Sequence, residues 1–524
     1  MNLQEMLRKE DYDKIWEKYC GFLDLNIDEF MQIQERLLIE QIDILYKSKI
    51  GKKIMGEIKP TTLSDFRNRV PLTTYEDYAD VLLNQKEDAL PCKTVYWIKT
   101  TWKGGTQDDM KQAPYSQNMI DEHTKSFIAT LILATSKKKG EFSLRAKDKF
   151  LYGMAPLPYL TGLAPYVLKN EIEFEYMPPI KDAESLGFRE RNKVGFELAL
   201  NKGVDLFFGL SSVLVKIGEE FISRNSTREK KIIKPKTFKM KMKLAKAFIK
   251  KYIKKQPILP KDLFNFKGII CAGTDSLAFR DKIDYYFGKR PLEIYGGTEI
   301  TTAAVETWGH SGLTFFPDVN FLEFIPEKDS IRSIRDKNFI PKTLLFNELE
   351  ANQKYELVTT KFRGGVFVRY RVGDMIECVS LEDKVYNIKL PQIRYIDRIS
   401  NIIDLAGFTR ITETTIEQAL KLSQIDVVNW VACKEYDKNE PKLHIYLEAR
   451  GNLNELTIKQ KIHEHLKQLD SDYLNIEQLL GRDLLKITLL KLGSFENYLF
   501  SSNSLYVKIN PSRETIRGIL ASSR

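Results

Sequence analysis

Four stretches of this chain combine residue types at spacings that could handle a phosphorylated substrate. The first runs from Lys99 through TTWKGGTQDDMK to Gln112. Glycines let backbone N–H groups approach phosphate oxygens closely, and hydroxyls donate to them. The spacing is not G-x-x-x-x-G-K-[ST]. Asp108 and Asp109 also place negative charge beside the glycines, so a polar surface loop is the competing reading. The second stretch is Tyr295-Gly296-Gly297-Thr298-Glu299, following an apolar run. Ligands of open α/β sheets bind at the carboxyl ends of strands. There a tyrosine ring can pack on a flat base, Thr298 can donate to a phosphate oxygen, and Glu299 can hold Mg²⁺. A tight turn with a capping Thr and Glu explains the same residues. The third is Tyr370-Arg-Val-Gly-Asp374, where an aspartate after a glycine turn can accept both hydroxyls of a ribose. The competing reading is an ordinary hairpin-turn aspartate. The fourth is Lys508 in LYVKINPSR, a late-loop lysine of a kind that is usually only solvated.

These groups need elements to position them. Gly268 to Gly273 reads as a buried strand, Ser276 to Phe287 as a helix, and Leu292 to Tyr295 as a second strand. Strand, helix, strand over this length implies a parallel sheet. VYWI before Lys99 reads as a further strand. Phe315 to Ile325, Tyr355 to Lys361 and Val366 to Arg371 read as strands suited to antiparallel pairing. Upstream, Ile27, Met31, Leu38, Ile42 and Leu45 fall on one helix face, and Thr73 or Thr74 after Pro71 marks a capped helix start. Toward the C-terminus, Glu413 to Ser423 is a helix, Val427 to Tyr436 and Leu443 to Ala449 are strands, and Ile458, Ile462, Leu466 and Leu469 mark another helix. A boundary is expected near Arg398. It divides a large α/β domain (1–397) with mixed sheets from a small α+β domain (398–524).

Composition narrows the class. The chain has 524 residues, 43% hydrophobic and 29% charged, as expected of a globular protein of several domains. No apolar run reaches the roughly 18 to 20 residues of a membrane helix, and the first residues lack a signal-peptide pattern. Five scattered cysteines without C-x-x-C fit reduced thiols in a cytoplasmic protein rather than a disulfide framework or a structural zinc site. The five histidines form no H-E-x-x-H.

The net charge of +10 is local: Arg228 to Lys255 holds thirteen Lys or Arg and one acid, leaving the remainder near neutral. Lys239, Lys243, Lys246, Lys250 and Lys254 interleave there with Leu244, Phe248, Ile249, Tyr252 and Ile253, the pattern of a basic amphipathic helix. Candidate partners for 228–255 are an acidic carrier protein or an anionic surface; specific nucleic-acid recognition is not expected. A helix packed by one apolar face on the large domain and otherwise solvated is the competing, and favoured, reading.

Taken in order, the four stretches resemble the adenylate-forming superfamily of acyl-CoA synthetases, luciferases and adenylation domains. Within it, the chain is similar to the acyl acid amido synthetases, the auxin- and jasmonate-conjugating type, which includes bacterial members. FRNRVPLTTYEDY, Asn401 to Leu420 (NIIDLAGFTRITETTIEQAL), LGSFENYL and the terminal Lys508–Pro511–Arg513 set support the closer match. Two features depart from the family pattern. Trp102 and Lys103 interrupt the Ser/Thr/Gly order of the first stretch, and Lys508 to Pro511 is one residue longer than K-x-P-R.

The resemblance implies an adenylate-forming large domain with a small mobile C-terminal one. It implies a ligase that uses ATP and Mg²⁺ to join a small carboxylic acid to an amine through an acyl-adenylate. Thr100, Thr101, Gly104, Gly105 and Thr106 would form the phosphate loop. Gly273, Thr274, Tyr295, Gly296 and Gly297 would surround the nucleotide, and Asp374 would hold the ribose with Arg398. Thr298 would meet the α-phosphate, Glu299 the metal, and Lys508 the reacting oxygens. An acyl-CoA ligase, or a non-catalytic nucleotide-binding or scaffold homologue, are the alternatives. Tyr159, Leu160, Phe207, Phe208 and Leu210 are candidates for an apolar acyl site, with core packing as the competing reading for each.

Overall fold

Short strands without polar alternation are stable only in a sheet covered on both faces. Five such strands build the parallel half of the main sheet. Glu175–Met177, Lys149–Tyr152, Leu206–Leu210, Gly268–Ala272 and Leu292–Gly297 lie side by side in that order, each pair parallel. Every residue of LFFGL at 206–210 is buried. The helix Ser276–Phe287 joins the last two strands. It ends at Gly288, which takes φ +67° and donates its N–H to the Asp284 carbonyl, a left-handed stop that suits glycine.

The computed structural model describes residues 1–103, 110–226, 237–272, 276–336, 338–398, 402–405, 409–437, 440–451, 454–481, 483–502 and 506–523. They fall into two compact units, one built from Met1–Lys103, Asp109–Ala272 and Arg280–Asp397, the other centred on Arg398–Arg524. In the first, the sheet continues past Leu292–Gly297 through Thr301–Glu306, Leu313–Phe315, Gln392–Arg398, Tyr370–Ser380, Gln353–Lys361, Asn320–Pro326 and Leu344–Leu345, giving twelve strands. The added pairings of known direction are antiparallel. This is a mixed α/β fold with one large mixed sheet. In the second unit, Asp426–Asp437 pairs antiparallel with Glu440–Arg450, which pairs parallel with Leu485–Leu490. The helices Glu413–Leu422 and Glu455–Leu469 bury Ile416, Ile458, Ile462 and Leu466 in the core that this sheet shares. Among the described residues no helix is long and apolar enough to cross a membrane.

Four sequence expectations are corrected. The single strand over Phe315 to Ile325 is two strands, Leu313–Phe315 and Asn320–Pro326. Pro317 between them has no N–H for a ladder, and its carbonyl accepts from the buried Gln34 amide instead. The strand expected over Val366 to Arg371 begins only at Tyr370. Arg369, at φ +42°, turns inward and its guanidinium meets both carboxylate oxygens of Glu323 at 3.0 and 2.9 Å. Asp374 follows no hairpin turn. It lies within the continuing strand Tyr370–Ser380, in a bulge where Arg371 opposes Val358 and Met375 opposes Glu356. Gly373 takes φ +79° there, which a glycine adopts without steric cost.

The fourth correction concerns the basic segment. Its helix is Phe238–Lys254, but the buried residues are Met240, Leu244 and Ala247, while Ile249, Tyr252 and Ile253 are exposed. The 4- and 3-residue steps from 240 define one helix side, and Ile249, Tyr252 and Ile253 fall on the other. Residues 227–236 lie outside the described set.

Gly373→Ala forces a side chain into the left-handed region. Its urea unfolding midpoint should fall by the equivalent of about 1–2 kcal/mol, whereas Gly21→Ala, with open space around its added methyl and no positive φ, should change little.

Candidate active site

The site grows from a hairpin and a bulge. Leu292–Gly297 and Thr301–Glu306 pair antiparallel with Thr301 opposite Gly297, so Thr298, Glu299 and Ile300 form the connecting turn. A Cβ on Gly296 would lie 2.2 Å from the Thr301 carbonyl oxygen. The returning strand therefore demands glycine at 296, whereas Gly297 has ordinary space around it. Five strands further along the chain, the bulged strand Tyr370–Ser380 presents Tyr370 and Asp374.

The two motifs bond to each other reciprocally. The Tyr295 hydroxyl, from the hairpin, donates to Asp374 Oδ2 in the bulge at 2.8 Å. The Tyr370 hydroxyl, from the bulge strand, donates to Glu299 Oε1 in the turn at 3.2 Å. Both Tyr295 and Asp374 are buried, at 6% and 4% exposure. Tyr395 stacks on the Tyr295 ring with centroids 6.0 Å apart, and Phe315 meets it edge-on. Thus Tyr295 and Asp374 come together, as do Glu299 and Tyr370. Thr298 is half-buried and its carbonyl accepts from the Tyr115 hydroxyl at 2.6 Å.

Positive charge stands beside the turn. Lys111 Nζ is 3.4 Å from the Tyr370 hydroxyl and 4.8 Å above the Tyr75 ring. Burial pushes the Tyr75 phenol up to about 12; the Gln112 N–H opposes this and the Glu299 charge adds to it. Burial, with the charges of Glu299 and Glu122, raises Tyr115 as well. Both phenols stay protonated at neutral pH and serve as donors. Sequence reading gave no role to Tyr370, although it opens the YRVGD motif, nor to Lys111, at the end of the first polar stretch. Tyr115 and Tyr395 carried no motif signal at all.

Beneath the turn lies a buried cation. Lys361 Nζ donates to Glu122 Oε2 at 2.6 Å, to Thr301 Oγ1 at 2.9 Å and to the Val319 carbonyl at 3.0 Å. The Asn320 amide donates to the Ile300 carbonyl at 2.9 Å. Burial raises the Glu122 pKa and lowers that of Lys361, and the attraction between the two opposes both shifts. This pair fixes the end of the turn that carries Thr298 and Glu299.

The remaining expected residues are placed as follows. Thr100 is buried in the strand Tyr96–Lys103, which also contains Thr101. Gly104, Gly105, Thr106, Gly273 and Thr274 lie outside the described residues. Arg398 ends the strand Gln392–Arg398. Phe207, Phe208 and Leu210 are buried strand residues, with Phe208 packed on Phe127 and Tyr152; Tyr159 and Leu160 are half-buried. In the second unit, Lys508 lies on a segment bridged to Ala432. Its Nζ is 2.6 Å from Glu417 and 3.5 Å from Glu413, over the Trp430 ring. Partial burial disfavours its charge, but the two glutamates outweigh that and raise its pKa.

Among the described residues no cluster of three His, Cys, Asp or Glu could hold a metal alone. Glu299 is half-buried, and among the described residues its one hydrogen-bond donor is Tyr370. A single carboxylate of this kind suits Mg²⁺, which takes one or two carboxylates together with phosphate oxygens.

Removing one partner of the buried pair tests its role. Lys361→Met should destabilise the fold by roughly 3–5 kcal/mol at pH 8. The loss should shrink as pH falls through the raised Glu122 pKa, because a protonated Glu122 no longer needs a cation. Lys361→Met with Glu122→Met should recover much of the stability in urea unfolding.

Comparison with known proteins places this architecture. Residues 21–154 match the GH3 family N-terminal domain, and residues 313–398 the GH3 family central domain. No curated protein sequence matches the chain. Its fold is similar to that of the AtGH3.15 acyl acid amido synthetase in complex with 2,4-DB, at 14% identity over 96% of this chain and 95% of that one, with a TM-score of 0.50. It is also similar to 2-hydroxyisobutyryl-CoA ligase in complex with 2-HIB-AMP and CoA, at 13% identity over 96% and 92%, with a TM-score of 0.52. The chain thus carries GH3 family N-terminal and central domains, on a fold it shares with an acyl acid amido synthetase and an acyl-CoA ligase.

Proposed function

We propose that this ligase activates a carboxylic acid as its acyl-adenylate and transfers the acyl group to an amine, forming an amide. The observation that carries this reading is the reciprocal bonding of the YGGTE and YRVGD motifs, which places Glu299 and Asp374 on one framework. In the first step a carboxylate oxygen attacks the α-phosphorus of ATP, the bond to the β-phosphate bridging oxygen breaks, and pyrophosphate leaves. Charge builds on the phosphoryl oxygens, so donors and cations aimed at them lower the barrier. Thr298 and Lys111 are the proposed contacts there. Asp374, oriented by Tyr295, would accept the ribose hydroxyls. Glu299 would hold Mg²⁺, and that ion, when bound, neutralises phosphate charge. In the second step the amine nitrogen attacks the acyl carbon, the bond to phosphate oxygen breaks, AMP leaves, and the nitrogen loses a proton.

The domain at 398–524 would be mobile and would deliver Lys508 for the first step. Its lysine would then have to exchange Glu417 and Glu413 for the anionic substrate. A second reading has coenzyme A as acceptor, favoured by the fold likeness to an acyl-CoA ligase. A cytoplasmic site of action is part of the proposal.

Purified protein with ATP, Mg²⁺ and a panel of carboxylic acids should show acid-dependent exchange of labelled pyrophosphate into ATP. Adding amino acids or coenzyme A then identifies the acceptor by the product formed. No exchange with any acid would sink the reading and leave a nucleotide-binding scaffold. Lys508→Ala should lower the exchange rate by at least about a hundredfold, on the scale of one lost electrostatic donor, with ATP affinity by calorimetry nearly unchanged.

A further inference from the structure

We propose that the outer face of the Phe238–Lys254 helix is a docking surface for an anionic lipid bilayer. The helix has two apolar sides. The inner side, Met240, Leu244 and Ala247, packs against Phe221, Ile258 and Leu263. Lys243 donates to the Leu263 carbonyl and Lys250 pairs with Asp262 at 2.7 Å, fastening the helix to the segment that follows it. The outer side runs through Phe238, Met242, Ala245, Ile249, Tyr252 and Ile253. Steps of four and three residues keep these on one helix face. All are exposed, Phe238, Tyr252 and Ile253 by at least 75%.

Five large apolar side chains aligned in water along one helix face need a reason. Scattered exposed hydrophobics are normal, but an aligned stripe marks an interaction surface. Charge selects the partner. The exposed lysines Lys241 and Lys246 border the stripe on its two sides, and the stretch Arg228 to Lys255 carries thirteen basic residues against one acid. A helix with an apolar face rimmed by lysines lies in the plane of a membrane interface. There its apolar side chains reach the acyl boundary and its cations meet lipid phosphates and carboxylates. Nucleic acid would use the lysines but leaves Met242, Ile249 and Ile253 without a partner, since backbone phosphates call for cations alone. A two-fold contact between copies of this helix would set like-charged lysines against each other. With no membrane-crossing helix among the described residues, the attachment is peripheral and reversible.

The test is flotation of the full-length protein with vesicles of phosphatidylcholine alone and of phosphatidylcholine with about one third phosphatidylserine, at low and high salt. Binding to the anionic vesicles that weakens with salt is expected. Lys241→Gln with Lys246→Gln should weaken it by roughly fivefold per lysine. Ile249→Ser with Ile253→Ser should weaken it by at least about tenfold through lost apolar burial. Both pairs should leave the urea unfolding midpoint near that of the parent, because the four side chains are exposed. Absence of binding to anionic vesicles overturns the proposal, as does binding that both double variants retain. Light scattering that shows a dimer dissolved by Ile249→Ser with Ile253→Ser, without vesicle binding, assigns the stripe to self-association. Binding of RNA but not of vesicles assigns the basic face to nucleic acid; either result also overturns the proposal.

Discussion

Two tyrosine hydroxyls hold the site together. Each of the two motifs supplies one tyrosine and one carboxylate, and each tyrosine bonds the carboxylate of the other motif. A carboxylate taken out of water must be met by donors or it loses its charge. Tyr295 meets Asp374 in this way. Tyr370 does the same for Glu299. The hairpin turn and the bulged strand therefore cannot shift independently, and each carboxylate is held by a donor from the other motif.

That framework rests on charge buried more deeply still. Lys361 is fully buried, and three acceptors offset the cost of removing its ammonium from water: a carboxylate, a hydroxyl and a carbonyl. One of them, Thr301, closes the turn that carries Thr298 and Glu299. Arg369 plays a similar part at the start of the bulge strand, where Glu323 and two backbone carbonyls anchor it. Buried ion pairs add little net stability, but breaking one is costly. Here they set geometry, since each cation is satisfied in only one arrangement of the strands around it.

The second unit handles its cation differently. Lys508 stands at the surface of its own unit between Glu413 and Glu417, above an indole face. These groups keep it protonated without burying it, so another anion can compete for it. The outer helix Phe238–Lys254 shows a third use of lysine, spread along an exposed face rather than gathered in a pair.

The sequence by itself determined much of this. Apolar runs ending in glycine marked Gly268–Ala272 and Leu292–Gly297, and periodicity marked the helices at Ser276–Phe287 and Glu455–Leu469, because both signals are local. The motifs YGGTE and YRVGD were legible for the same reason, as were Glu299 and Asp374 within them. Tertiary structure decided the rest. The bulge at Gly373 depends on how Tyr370–Ser380 pairs with a strand seventeen residues upstream at its start. The turn inward at Arg369 depends on Glu323, which no local pattern connects to it. The partnership of Tyr295 with Asp374, and of Lys361 with Glu122, joins residues 79 and 239 positions apart. Which apolar side of the basic helix is buried was likewise beyond sequence, since both sides satisfy the same period. In each case the deciding term is desolvation: a charge or an apolar surface finds its partner only once the chain has closed around it.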